Sequence, residues 1–518
     1  MLKKTWFQIL LLVLLSGAVR AVIWSKTDVI SSDGPLYIEV AQYYYEGNFK
    51  QALSHPYHPL YPFLMSLAYR LVNNWEWAGM LISVIFSALA VIPLYLLGRK
   101  LFNPAIALIT GLLYAFHPTA ARLSAGILTP GIFIFLVTTS VWLISEALDT
   151  KKYRFFILAG AGTLLCFAAR PDGAVLLPVF LGVVIFNRSA DQPNIWKAKI
   201  LALVLLMLPW LLMALPYLIR IKQTKGEWDI SNKGLHIIKM LNPVAFSQKG
   251  WEAKPESSDW AQIGNRYIHG VLITVKDCIQ AEHLLLLFLL IIGVLVKKQS
   301  GLIEKIESGK ITGRLVSWLA IVWLLVMLRF AIFFDRLSKR YTVILAVITI
   351  FWAAAGLVVL AQWINKRFRI TNPTKQAVNL WVILALILAI FSINTFKAVD
   401  YVKLNEKTTG EWIKNYHDGK EKPKIMSDSN RIPYYAGGSL IHLLELDLVG
   451  KNYSEVISRA RTGQVDYLVV DNKIDHYFPG FTKATKKEDL RLIYTSTASG
   501  KTGLKEFRVY RVVNSVRK

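Results

Sequence analysis

Acidic residues are scarce in this chain, and they are scarcest in its long apolar stretches. The 518 residues include 34 Asp and Glu against 60 Lys and Arg, and Glu146, near one end of an apolar stretch, is among the few acids inside such a stretch. Proton- and sodium-coupled carriers usually place carboxylates or broken helices near the middle of the membrane. The sequence therefore argues against transport through the bilayer centre.

Cysteine is almost absent, which excludes a disulfide framework. Cys166 lies in an apolar stretch and Cys278 lies near the end of a predicted loop. They do not form a metal-ligand spacing, and the His and Asp residues do not form one either. The Gly437-Gly438 pair lacks the spacing of a dinucleotide fingerprint, so we interpret it as a turn. We expect neither a required metal nor a cofactor.

Apolar residues are abundant, since 54% of the chain is hydrophobic and only 18% is charged. This composition predicts a polytopic α-helical membrane protein with about eleven transmembrane helices. The apolar stretches are 5–24, 77–97, 104–116, 127–148, 153–169, 173–186, 200–218, 283–296, 315–334, 341–363 and 377–396. The first of them lacks a convincing cleavage site, so we expect a retained helix rather than a signal peptide.

The positive charge lies mostly in short loops between these stretches. Lys and Arg exceed Asp and Glu by 60 − 34 = 26, a surplus that suits nucleic acid, anionic lipid or an anionic substrate. With a cytoplasmic N-terminus, every predicted inner loop is basic, as the positive-inside rule requires. The inner loops lie at 99–100, 151–154, 188–199, 297–314 and 366–375. We therefore predict a membrane partner and no nucleic acid, with outer segments at 25–76, 220–282, 335–340 and after 396.

The last part of the chain, 397–518, changes composition and predicts a small extracytoplasmic α/β domain after a transmembrane domain at 1–396. Short apolar or alternating segments indicate strands, and the segments between them indicate helices. The predicted strands are 423–426, 467–471, 490–495 and 507–513, and the predicted helices are 441–444 and 453–462.

The segment Thr27–Phe63 between the first two apolar stretches concentrates carboxylates, histidines and tyrosines. Pro35 suits the first position of a helix, so Gly34 is the expected cap and Asp33 stands one residue outside it. A second helix is expected over Leu60–Val72. The segment could be an amphipathic connector, or it could carry chemistry at the membrane surface.

Five short motifs follow one another along the chain. They are Ser32–Tyr37 (SDGPLY), His58–Pro62 (HPLYP), Leu96–Phe102 (LLGRKLF), Ala169–Gly173 (ARPDG) and Lys339–Tyr341 (KRY). In this order they resemble the GT-C glycosyltransferases, most of all the branch of protein O-mannosyltransferases and lipid A aminoarabinose transferases. The resemblance covers about 5–363, and 467–471 is similar to the outer domain of some bacterial members.

The resemblance implies a polyprenyl-phosphate-linked sugar as donor and a hydroxyl on a protein, lipid or glycan as acceptor. It assigns the catalytic acid of the first outer loop to Asp33, and a carboxylate there can take the proton of the attacking hydroxyl. We expect cations to bind the donor phosphate, with Arg340 first. The other candidates are Lys339, Arg336 and Arg170 for the phosphate, and Tyr37, His55, His58, Tyr61, Tyr341 and Asp172 for substrate.

Some of these residues have structural alternatives. Arg340 could be an interfacial residue whose charge reaches toward water, Arg170 and Asp172 could be an ion pair that fixes a hairpin, and His58 could cap the following helix. Many relatives carry an acid after Thr at the start of a span, whereas Pro130 follows Thr129 here. Asp28 or Asp172 could replace that acid, or the chain could recognise a different substrate.

We therefore predict an inverting hexosyl- or pentosyltransferase of the cytoplasmic membrane with its active site on the extracytoplasmic side. Loop 220–282 and the C-terminal domain are expected to cover the acceptor side. The alternatives are a polymerase or ligase that uses a polyprenyl-diphosphate glycan, and a non-catalytic lipid carrier or transporter.

Overall fold

The computed structural model describes residues 2–187, 195–226, 228–229, 246–247, 253–254, 260–295, 307–397, 401–419, 421–443, 452–500 and 503–513. Most of 220–259, within the predicted loop 220–282, and much of the predicted basic loops at 188–199 and 297–314 lie outside these residues. Contacts divide the chain into two units, Met1–Trp24 with Val40–Lys397, and Ser25–Glu39 with Ala398–Lys518. The predicted boundary at 396 instead places residues 25–39 in the transmembrane domain.

The first unit is helical, because a backbone in hydrocarbon must satisfy its own hydrogen bonds. The helices of this unit up to Phe186 are α1 Leu2–Ser25, α2 Gly34–Tyr45, α3 Phe49–Ser54, α4 Leu60–Val72, α5 Trp75–Leu89, α6 Val91–Leu101, α7 Pro104–Phe116, α8 Pro118–Ser124, α9 Pro130–Thr150, α10 Tyr153–Ala169 and α11 Leu176–Phe186. The boundary between the two units falls within α2. They are followed by α12 Ile195–Pro209, α13 Leu215–Lys225, α14 Trp260–Glu282, α15 Leu284–Leu295, α16 Glu307–Phe334, α17 Lys339–Arg367 and α18 Pro373–Thr395, with the short strands β1 Phe246–Ser247 and β2 Ala253–Lys254 between α13 and α14.

Several helix starts follow from local sequence. The Asn103 side chain accepts from the Ile106 amide and Pro104 takes the first position of α7, where its missing N–H costs nothing. Asn372 and Pro373 repeat the same arrangement at the start of α18. Each pair fixes where a membrane helix begins after a polar loop.

Seven helices among the described residues are long and apolar enough to cross a membrane, and up to nine if each of two bent pairs is one span. One bent pair is α7 with α8, at 58°, and the other is α14 with α15, at 97°. The chain is thus a multi-pass membrane protein, and all eleven predicted stretches contain a helix. Three shorter apolar helical segments lie at 60–72, 153–169 and 171–186, and the last two correspond to predicted stretches.

The last part of the predicted outer loop 220–282 is helical, because α14 occupies Trp260–Glu282. Buried residues recur along one face, at Ile263, Gly270 and Thr274, while Arg266 and Lys276 interrupt the apolar pattern. An amphipathic helix of this kind has too low an average hydropathy to be recognised as a span.

The second unit contains a five-stranded sheet in the order β4-β3-β5-β7-β6. Its elements, beyond 25–39, are α19 Tyr401–Tyr416, β3 Lys424–Ser427, α20 Arg431–Tyr435, β4 Ser439–His442, α21 Tyr453–Thr462, β5 Tyr467–Asp471, α22 Ile474–Tyr477, α23 Phe481–Ala484, β6 Leu490–Gly500 and β7 Gly503–Val512. Strands β4, β3 and β5 are parallel, and β7 is antiparallel to β5 and β6. The predicted α/β domain is confirmed.

The sheet has a hydrophobic core on each face. Every residue of β5 is buried, and its Leu468 and Val469 belong to different cores. Helix α21 contributes Val456 and Ile457 to the first core, and α20 contributes Ile432 to the second. A strand covered on both faces reads as a continuous apolar run, which is why 467–471 was predictable.

The predicted helix at 441–444 is wrong, since Ser439–His442 form the edge strand β4. Lys424 pairs with Ser439 and Ser427 with His442 in a parallel ladder. A four-residue segment is too short for a stable helix, and pairing with β3 satisfies its backbone groups. Residue 444 lies outside the described part of the chain.

Glycine allows two helices of the first unit to approach closely. A Cβ on Gly356 of α17 would lie 1.9 Å from the Leu289 carbonyl oxygen, and one on Gly293 of α15 would lie 1.9 Å from the Trp352 carbonyl oxygen. Small residues at such crossings bring helix backbones together in membranes.

We expect Gly356→Ala to lower the apparent melting temperature of the detergent-purified protein, because α15 and α17 must separate to admit the methyl group. Overpacking of this kind costs about 1–3 kcal/mol. Gly182→Ala on α11 is the matched control, since a Cβ there meets no atom within 4 Å. Equal melting of the two variants would contradict this packing.

Acidic residues lie at the carboxyl ends of β3 and β5. Asp428 follows β3 and Asp471 ends β5. Burial, then the charges of Asp471 and Glu406, raise the pKa of Asp428 from 3.8 to about 6, against the opposing effect of Lys505. The folded state therefore holds this proton more tightly than the unfolded chain, and its stability falls as pH rises from about 4 to about 6.

Asp428→Asn should therefore raise the melting temperature of residues 398–518 at pH 8 and change it little at pH 4.5. Proteolysis of the full-length protein along a temperature ramp measures both values. Asp418→Asn, at an exposed position of the same unit, is the control. A shift of equal size at the two pH values would rule out a raised pKa as its cause.

Candidate functional site

The chain around Arg170 is shaped by its neighbours in sequence. Arg170 precedes Pro171, which disfavours helical backbone, and it is extended with φ −156° and ψ 142°. A 3₁₀ turn over Pro171–Val175 then folds back on α10. A Cβ on Gly173 would lie 2.3 Å from the Cys166 carbonyl carbon, so only glycine permits this return. The turn places Asp172 beside Arg170.

The Arg170 guanidinium is buried and joins two parts of the chain. Its Nε donates to Asp172 Oδ1 over 3.0 Å, and its Nη2 lies 2.9 Å from Asp172 Oδ2. Its Nη1 donates to the backbone oxygen of Arg340 over 3.1 Å. The predicted alternative of an Arg170–Asp172 ion pair is thus observed. Because Asp172 offsets its charge, Arg170 supplies less positive potential than its position in the sequence suggested.

Arg340 and Tyr341 lie in the first turn of α17. The Ser338 side chain caps this helix by accepting from the Arg340 amide at 3.4 Å. The Arg170 guanidinium lies 4.7 Å from the centre of the Tyr341 ring, and Trp323 Nε1 donates to the Tyr341 carbonyl over 3.1 Å. The start of α17 is thereby fixed from two sides.

This helix start is electropositive. The N-terminus of a helix carries a partial positive charge and attracts anions. Arg336 and Lys339 are exposed beside it and Arg340 is half-buried. Three of the four predicted phosphate-binding residues therefore lie within five positions of one helix start, and the fourth holds its backbone.

The loop before α17 is braced by two residues that the sequence interpretation missed. Asp335, in the left-handed region with φ 56°, lies 2.9 Å from Arg266 Nη1 and 2.6 Å from His269 Nδ1. Arg266 Nε also donates to the Ile332 carbonyl over 3.0 Å. Arg266 and His269 share a face of α14 because they are three positions apart. Assignment of this region to a loop hid that spacing.

The two histidines after α3 have different surroundings. His58 is 4% exposed, and its Nδ1 donates to the Phe167 carbonyl over 2.6 Å, which fixes the proton on that nitrogen. It does not cap α4, whose N-cap is Pro59. His55 is half-buried, and its Nδ1 accepts from the Tyr57 amide at 3.3 Å.

Tyr61, a predicted substrate-binding residue, packs in the interior of the first unit. It is fully buried, and its hydroxyl donates to the Gly79 carbonyl over 2.9 Å and lies 2.8 Å from Ser83 Oγ. These contacts tie α4 to α5. A role for Tyr61 in packing therefore has direct support.

Asp33 and Tyr37 belong to the second unit. The Asp33 carbonyl accepts from the Tyr37 amide over 3.1 Å, so Asp33 is the N-cap and α2 begins one residue earlier than predicted. Asp33 is half-buried and Tyr37 is 6% exposed. The start of α2 thus holds the Asp33 backbone in a fixed conformation.

Comparison with known proteins agrees with the helical architecture. Residues 54–213 match the sequence profile of the family described as Dolichyl-phosphate-mannose-protein mannosyltransferase. That segment, less than a third of the chain, is therefore similar to the mannosyltransferases of this family. The GT-C resemblance is confirmed. A search of curated proteins finds no match.

Solved structures show the same fold over nearly the whole chain. The oligosaccharyltransferase of Archaeoglobus fulgidus, in complex with Zn and sulfate, is 13% identical with a TM-score of 0.61, and covers 98% of this chain and 73% of its own. ArnT of Cupriavidus metallidurans in the apo state is 11% identical with a TM-score of 0.59, over 99% of both chains. The same enzyme bound to undecaprenyl phosphate is 12% identical with a TM-score of 0.57, over 96% and 97%. The fold shared with these structures therefore extends over the C-terminal sheet.

The buried pair Arg170–Asp172 can be tested by a double-mutant cycle. We expect Arg170→Met to destabilise the protein by about 3–5 kcal/mol, because it leaves a carboxylate that is only 13% exposed without its partner. Asp172→Leu should be similarly costly, and the double variant should melt above both single variants. Apparent melting temperatures in detergent measure the cycle. Additive losses would show that the pair is not coupled.

Proposed function

We propose that the chain is a glycosyltransferase that moves a sugar from a polyprenyl-phosphate carrier to a hydroxyl acceptor at the outer face of the cytoplasmic membrane. The observation that carries this proposal is the electropositive start of α17, at which Arg340, Lys339 and Arg336 gather on a GT-C fold. The similar ArnT structure is bound to undecaprenyl phosphate, an anionic lipid of the class that such a helix start attracts.

The reaction needs a base and an anion-binding group. The acceptor hydroxyl oxygen bonds to the anomeric carbon, and the bond from that carbon to the phosphate oxygen breaks with its electron pair on the oxygen. Asp33 takes the acceptor proton as the hydroxyl attacks. Attack from the face opposite the phosphate inverts the anomeric carbon, and polyprenyl phosphate leaves as a stable anion, so no general acid is required.

The cations at α17 act on the charge that develops on the leaving phosphate. A guanidinium in a fixed position stabilises a phosphate oxygen by charge-assisted hydrogen bonds. Arg340 is assigned this role, with Lys339 and Arg336 beside it. Arg170 contributes by holding the Arg340 backbone, since Asp172 already offsets its charge. Tyr37, His55, His58 and Tyr341 remain proposed substrate contacts.

The decisive change is Asp33→Asn, which keeps the size of the side chain and removes its basicity. We expect turnover to fall by about 10²–10⁴-fold with little change in donor binding, because a general base acts in the transition state. Glu39→Gln is the matched control, an exposed acid on α2 with no assigned role.

The substrates can be identified with the same variants. Mass spectrometry of surface glycans and glycoproteins from a deletion strain reports the missing sugar and its attachment together. The wild-type and Glu39→Gln genes should restore that mass and Asp33→Asn should not. Full restoration by Asp33→Asn would rule out Asp33 as the base, and no missing sugar would favour a lipid carrier.

The number of phosphates on the released lipid separates the remaining alternative. A monophosphate product supports the proposed donor. A diphosphate product would instead identify a glycan polymerase or ligase that uses a polyprenyl-diphosphate donor.

A further inference from the structure

The sheet of the second unit reverses its strand order between β3 and β5. The chain passes from β3 to β4 on one side, and then returns past β3 to β5 on the other. Helices α20 and α21, which make these connections, contribute to the cores on opposite faces. In open α/β sheets, ligands bind in the crevice outside the carboxyl ends of the strands at such a reversal.

Charged side chains line this crevice and neutralise one another. Arg431 of α20 pairs with Glu406 of α19. Lys505 of β7 lies 3.3 Å from Asp471 Oδ2 and 3.8 Å from Glu406 Oε1. Arg431, Glu406 and Asp471 are each less than 9% exposed. A buried network with these pairings holds the Arg431 guanidinium in one orientation.

The group that Arg431 binds in the crevice is a segment of its own chain. Arg431 Nε donates to the Ile30 carbonyl over 2.7 Å, and the Ile30 amide donates to the Tyr435 hydroxyl over 3.0 Å. Asn430 Nδ2 donates to the Ser32 carbonyl over 2.9 Å. Ile30 itself is 1% exposed. Both backbone groups of residue 30 and the carbonyl next to Asp33 are therefore held by α20 and the residue before it.

A fourth contact lies at the beginning of the segment. Lys407 Nζ donates to the Asp28 carbonyl over 3.0 Å. The Gly34 amide closes a turn on the Ser31 carbonyl over 3.0 Å. From residue 28 to the start of α2, the backbone is thus held at every second position.

We propose that Arg431 is a positioning residue for Asp33, and that the crevice of the C-terminal sheet binds residues 28–32 in the place where related sheets bind a ligand. The inference rests on the proposed role of Asp33 as the base. Arg431 does not touch the reacting atoms. It fixes the backbone that leads into the N-cap of α2, so that the carboxylate meets the acceptor hydroxyl in one geometry.

The expected signature is a loss of turnover without a loss of donor binding. Arg431→Ala removes the hydrogen bond to Ile30 and the nearer of the two cations that pair with Glu406. A misplacement of about 1 Å in a catalytic group can lower the rate about 10²-fold. We expect kcat to fall about 10- to 100-fold, with KM for the donor changed less than about threefold. Arg431→Lys should not restore the rate, because an ammonium cannot reproduce the two-sided geometry of a guanidinium.

Hydrogen–deuterium exchange provides a readout that does not depend on activity. In the full-length protein in detergent, Arg431→Ala should speed exchange of the amides from 30 to 34 far more than exchange in the sheet. Arg461→Ala is the matched control, since it removes an ion pair to Asp489 elsewhere in the same unit. Asn430→Ala is the second variant if Arg431→Ala fails to fold, because it removes only the exposed bond to Ser32.

The outcomes separate this proposal from that of the base. Faster exchange at 30–34 together with reduced kcat supports the positioning role. Unchanged exchange in both Arg431→Ala and Asn430→Ala overturns it, whatever the turnover. Full turnover in Asp33→Asn overturns the base assignment, and the positioning role with it, whatever the exchange.

Discussion

The arrangement at the start of α17 depends on one buried guanidinium. Arg170 follows α10 because Pro171 ends that helix, and it binds a carboxylate two residues later and a backbone carbonyl 170 residues later. A buried arginine with both partners is stable, whereas Arg170 or Asp172 without the other would be an unpaired charge in apolar surroundings. This contact fixes residue 340 and the ion pairs of Asp335 fix residue 335, on either side of Arg336 and Lys339.

The membrane helices could be predicted because hydrocarbon imposes a simple rule on sequence. Each of the eleven apolar stretches contains a helix, and the N-terminal caps at Asn103 and Asn372 are visible as Asn-Pro pairs. The helix α14 escaped prediction because its polar face carries Arg266 and His269. The strand β4 escaped because its conformation is decided by pairing with β3, a partner that local sequence does not reveal.

Part of the candidate site could be predicted and part could not. The cations of the KRY motif and the pair in ARPDG are local in sequence, and the structure brings the two motifs together. The contacts of His269 with Asp335 and of Arg431 with Ile30 join residues 66 and 401 positions apart, which no spacing rule reports. Likewise, the partner that allows His58 to be buried is the carbonyl of Phe167 in α10, which is distant in sequence.

The hydrogen bonds that hold residues 28–32 each join a backbone atom of this segment to a side chain of the sheet domain. Main-chain groups are the same for every amino acid except proline. The exposed side chains of this segment, Asp28 and Ser32, can therefore change between related proteins while the path of the chain is kept. Under the proposed function, substitution of these side chains is a way to change acceptor preference while the path of the chain to Asp33 is kept.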